Sequence, residues 1–135
     1  MSTLGFIEYE KASPEVRAVY DDIMATRKVD RINNFWKALA HDPARLKRMW
    51  EENKQIMGPG VLDPLTKELI YLAISISNQC DYCIAAHTVS ARKKGMNDAI
   101  FMELMSVVGL ANEMNRLVAG TRWRSTSRLR PKDKG

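Results

Sequence analysis

The sequence predicts an all-α fold, on three observations. A capping residue stands directly before proline at Ser13-Pro14, Asp42-Pro43 and Asp63-Pro64. Each pair supplies a side-chain oxygen for the first free N–H groups and a residue whose missing N–H costs nothing in a first turn. Apolar residues then recur three and four positions apart, and no stretch alternates apolar and polar residues between hairpin turns. Six or so helices are expected, with the whole of residues 1–120 as one helical domain.

The elements follow in order. After Ser13, the spacing of Val16, Val19, Tyr20, Ile23 and Met24 predicts a first helix. Residues 33–40 read as a short one, with Phe35, Trp36, Leu39 and Ala40 on its inner side. From Asp42, Leu46, Met49, Trp50 and Met57 mark a third, closed by "GPG" at residues 58–60. Residues 64–77 contain "LIYLAISI", apolar enough for a buried strand, but the length and the Asp63-Pro64 start favour a helix. Apolar on all sides, it is expected to be buried in the middle of the fold. A fifth helix is expected from about residue 79 to Lys94, stopped by Gly95. Asn97 then caps a long last helix with a predicted buried stripe of Ile100, Leu104, Val107, Val108, Ala111, Met114 and Val118. Gly109 within it suggests a close helix crossing.

Composition bounds the function. A chain of 135 residues with 45% apolar and 27% charged residues is long enough for a core and ordinary for a globular protein. The net charge of +5 does not describe a basic face. Six basic residues (Arg122, Arg124, Arg128, Arg130, Lys132, Lys134) against Asp133 place all of it in the tail, residues 121–135. That tail reads as a solvated extension, with contact to a neighbouring subunit or a polyanion as the other reading. Neither nucleic acid nor membrane is expected as a partner. The N-terminus carries three glutamates and no signal-like apolar run, and no segment reaches the ~20 apolar residues of a membrane span. The compartment is expected to be the cytoplasm, where a close cysteine pair points to redox or metal chemistry more than to a structural staple.

That pair is Cys80 and Cys83 in "NQCDYCIAAH", followed by His87. On a helix all three share a face, with Ile84 and Ala91 continuing it. The cysteines fall in the first turn, where free N–H groups and the helix dipole favour thiolate. His87 is positioned to exchange a proton with Cys83, directly or through one water. Glu68, in the preceding apolar helix, is expected to lie alongside. Burial would favour its protonated form, making it a proton relay near neutral pH. One sulfur could then be oxidised and captured by the other as a disulfide. Other readings remain. Glu68 could be an ordinary first-turn glutamate, and the cysteines small buried hydrophobes. Zinc needs four ligands for a structural site, and this face offers three. His41 reads as an exposed loop residue. Haem attachment is excluded because Ile84, not histidine, follows Cys83, and a thioredoxin-like fold lacks its βαβ pattern.

The stretch "LDPLTKELIYLAISISNQCDYCIAAHTVSARKKGM" resembles the AhpD-like alkylhydroperoxidase branch of the carboxymuconolactone decarboxylase family. Its signature is a glutamate, eleven residues, then C-x-x-C-x-x-x-H, matched here by Glu68, Cys80, Cys83 and His87. The likeness covers roughly residues 35 to 120. It implies thiol-dependent reduction of a hydroperoxide without metal, haem or flavin, electrons from an external dithiol or thiol reductant, and a homo-oligomer, trimer or hexamer. Tyr82 stands between the cysteines, where some AhpD proteins carry a second histidine. Cys83 is expected to attack and Cys80 to resolve. Two alternatives stay open: a decarboxylase-like enzyme on the same scaffold, and a non-catalytic redox-sensing module.

Overall fold

A computed structural model of the chain describes residues 2–122. Of the basic tail, residues 123–135 lie outside the described residues. Those described form one 3₁₀ turn (Tyr9–Lys11) and six α-helices: α1 (Pro14–Arg27), α2 (Asn34–Leu39), α3 (Pro43–Met57), α4 (Pro64–Ser77), α5 (Asp81–Lys93) and α6 (Asp98–Thr121). No strand occurs among them. The chain divides into two compact units, one ending at Gly60 and the other beginning at Val61.

The helix starts lie where the local chemistry sets them. Ser13, Asp42 and Asp63 accept the N–H groups of Val16, Arg45 and Thr66, and each has proline next. Asn97 caps α6 by accepting from Ile100. In the first unit, Val16, Val19, Tyr20, Ile23, Trp36, Leu46 and Trp50 form the core. The Trp36 and Trp50 rings meet edge to face at 5.5 Å. Polar atoms in this core are paired: the Trp50 indole donates to Asp22 at 2.7 Å and the Tyr20 hydroxyl to the Ile7 carbonyl at 2.9 Å. Phe35, expected on the inner side, is exposed while its neighbour Trp36 is buried. Adjacent residues of a helix point about 100° apart, so Phe35 and Trp36 do not face the core together.

The second unit holds α4, α5 and α6, with α4 packed on both of the others. Leu72, Ala91 and Met96 are its buried centre, surrounded by Leu65, Leu69, Ile76, Ile84, Ile100, Phe101 and Leu104. Three expectations fail here. Helix α4 is not buried all round: Ile70, Tyr71 and Ile74 are exposed. Of the stripe expected on α6, Val108 is buried, whereas Val107, Met114 and Val118 are exposed. Nor does Gly109 mark a close crossing, since a Cβ there would meet nothing within 4 Å. Three helices cannot bury every apolar face they carry. What remains exposed is apolar surface and not a membrane span, for no described helix is long and apolar enough to cross a bilayer.

Candidate functional site

The candidate site lies wholly in the second unit. Residues 78–80 turn the chain from α4 into α5, with Gln79 at φ 55°. Cys80 is the N-cap of α5, and its sulfur accepts the Cys83 N–H at 3.4 Å. The two cysteines are joined as a disulfide, their Cα atoms 5.3 Å apart. An N-cap and the third residue of the first turn are close enough to be bridged without moving the backbone. The N–H groups at this helix start favour negative charge on sulfur once the bond is reduced.

His87 lies one turn further along α5. No hydrogen bond joins it to either sulfur among the described residues. Its Nδ1 instead pairs with Glu68 Oε2 at 2.7 Å. The ring also stacks on Tyr71, centroids 3.6 Å apart and planes 20° from parallel. Tyr71 is three residues after Glu68, so one face of α4 supplies both the carboxylate and the ring that hold the imidazole.

Glu68 is 3% exposed, as its surroundings in the sequence suggested. Its other oxygen, Oε1, accepts from Ser90 Oγ at 2.8 Å and is ion-paired with Lys94 Nζ. These donors overturn the expectation of a protonated carboxyl. Burial pushes its pKa up, but hydrogen bonds from His87, Lys94 and Ser90 together outweigh burial and hold it at about 2. The side chain is therefore a fixed anion near neutral pH. An ionised carboxylate orients and electrostatically supports the imidazole, and it is not a resting proton donor.

The four residues singled out in the sequence thus form two bonded pairs, Cys80–Cys83 and Glu68–His87. Tyr71, Ser90 and Lys94 were missed. A signal for the last two was present, because residues 87, 90 and 94 are three and four apart on one helix. His41 is exposed, with Nε2 2.9 Å from the Gly5 carbonyl oxygen, in the first unit. Tyr82 is exposed beside the cysteines.

With this geometry, the comparison with known proteins is decisive. The model of the carboxymuconolactone decarboxylase family matches residues 43–125, well over half of the chain. This chain belongs to the carboxymuconolactone decarboxylase family. The crystal structure of the alkylhydroperoxidase AhpD core from Rhodospirillum rubrum ATCC 11170 is 46% identical. It superposes with a TM-score of 0.91 over 95% of this chain and 96% of that one. This member of the carboxymuconolactone decarboxylase family is accordingly AhpD-like in fold. "Uncharacterized protein 4 in cox locus" of Paracoccus denitrificans is 34% identical over 62 residues, covering 46% of this chain. The match spans about half the length of that curated relative, 53%.

Proposed function

We propose that the protein is a thiol-dependent peroxidase in which Cys80 and Cys83 cycle between dithiol and disulfide. The observation that carries this reading is the bonded cysteine pair at the opening of α5, with the Glu68–His87 pair on the adjoining turn. The name of the Rhodospirillum rubrum protein supports the same chemistry.

The Cys83 thiolate attacks one oxygen of a hydroperoxide, the O–O bond breaks, and sulfur loses two electrons to become a sulfenic acid. The leaving alkoxide takes a proton and departs as an alcohol. Cys80 then attacks the sulfenic sulfur, expelling water and closing the disulfide. An external dithiol or thiol reductant restores the pair, so the net change is hydroperoxide plus two thiols to alcohol, water and a disulfide. His87 is the acid–base group, working from Nε2 because Nδ1 is engaged by Glu68. Glu68 orients and electrostatically supports the imidazole and carries no proton itself. The reductant's thiolate attacks one sulfur of the disulfide and releases the other as thiolate.

The reaction calls for no metal, haem or flavin, and it suits the cytoplasm, where reducing thiols are abundant. Copies of the chain assemble through α6. Val107, Leu110, Met114 and Leu117 are all exposed and fall three, four and three residues apart, the spacing of a helix–helix seam.

The test is consumption of an organic hydroperoxide with dithiothreitol as donor, run beside the double variant Cys80→Ser/Cys83→Ser. Turnover lost in the double variant supports the reading. With a single cysteine left, Cys83 alone should form a sulfenic acid; formation only by Cys80 reverses the assigned order. Absence of peroxide turnover in the wild type refutes the peroxidase, and an activity that survives alkylation of both thiols points to the decarboxylase-like alternative.

A further inference from the structure

Glu68 receives more donors than orienting one histidine requires. Its two oxygens divide the work: Oε2 takes His87, while Oε1 takes both Ser90 and Lys94. All three partners lie on α5 or its C-cap, and α6, the other helix packed on α4, supplies no hydrogen bond or ion pair to this carboxylate among the described residues.

The local structure aims Lys94 at this point. It is the C-cap of α5, its N–H returning to the Ala91 and Arg92 carbonyls. Gly95 then turns the chain at φ +110°, and buried Met96 donates its N–H back to Ala91. Side chains of a helix lean toward its N-terminus, so a long one at this end reaches back over the preceding turn. There it meets Ser90, Nζ to Oγ 3.3 Å, and beyond it Glu68. The Lys94 side chain is 33% exposed, the Glu68 side chain 4%. An ammonium with access to water thus ends on a carboxylate that has almost none.

We propose that Lys94 and Ser90 are positioning residues: they clamp Oε1 of Glu68 so that Oε2 is held on Nδ1 of His87, fixing the imidazole with its proton on Nδ1 and its Nε2 lone pair free. The link from that lone pair to the thiols rests on the peroxidase reading above; the clamp itself does not. A buried carboxyl deprived of Oε1 donors would protonate more readily, and its O–H could then donate to the ring nitrogen instead of accepting from it. The tautomer would lose its anchor. Lysine supplies charge as well as a hydrogen bond, serine only the bond, so Lys94 contributes the larger part.

The experiment is NMR titration of the reduced full chain, following the Glu68 carboxyl carbon and the His87 ring nitrogens. In the wild type the carboxyl midpoint is expected near 2 and, within the neutral imidazole, the Nδ1–H tautomer dominant. Lys94→Met should raise the midpoint by about 1 to 3 pH units, the range for loss of an adjacent opposite charge. Ser90→Ala should raise it less, and Lys94→Arg should keep it low. The double variant Ser90→Ala/Lys94→Met should populate both tautomers. Helical circular dichroism checks that each variant folds. An unmoved midpoint in Lys94→Met, or an unmoved tautomer in the double variant, overturns the clamp. If both move while the wild type consumes no hydroperoxide, the clamp stands and the peroxidase reading falls.

Discussion

Glu68→Gln measures how strongly the ionised carboxylate supports the fold. In the folded chain this carboxyl titrates at about 2, against 4.5 for an ordinary glutamate. Burial acts in the opposite direction, so the depression is the surplus of the His87, Lys94 and Ser90 hydrogen bonds over desolvation. The folded-state value lies below the unfolded one. The stability it contributes is therefore complete above about pH 4.5 and lost as pH falls through about 2. At about 1.4 kcal/mol per pH unit, the gap amounts to about 3 kcal/mol at pH 5 and above, and the same relation leaves about 1 kcal/mol at pH 3. Glutamine keeps the shape and an acceptor but neither the charge nor the titration. Urea unfolding of the oxidised chain, followed by circular dichroism at one protein concentration, should show Glu68→Gln well below wild type at pH 5. The difference should shrink by about 2 kcal/mol at pH 3. A difference that is constant over this window, or grows on acidification, refutes the assignment of a fixed anion.

Two further predictions concern the helix that carries Glu68. Asp63 accepts the Thr66 N–H at 3.0 Å, so Asp63→Ala should cost about 1 kcal/mol in denaturant unfolding while leaving thiol reactivity in place. Leu72 is fully buried one turn beyond Glu68, and Leu72→Ala should cost about 2 to 5 kcal/mol by the same measurement. A loss below 1 kcal/mol would mean that α4 does not depend on this side chain for its packing.

Local signals were the legible ones. The Ser-Pro and Asp-Pro starts at residues 13, 42 and 63 and the Asn97 cap need only the nearest few residues, and the helices begin where those residues stand. The alignment of Cys80, Cys83 and His87 follows from helical period alone. Burial was less legible. Val107 and Met114 have the hydrophobicity of core residues, yet whether a neighbour covers them depends on how many helices reach that side, which periodicity does not contain.

By itself the sequence determined the helical class, the helix boundaries, and a cysteine pair at the start of a helix with a histidine one turn on. Each of these is set by interactions spanning a few residues. The tertiary structure alone decided the charge on Glu68. Its carboxylate lies 19 residues from His87 and 26 from Lys94, and only the packing of α5 on α4 brings those donors to it. Desolvation argued for a neutral acid, and the long-range hydrogen bonds reversed the sign.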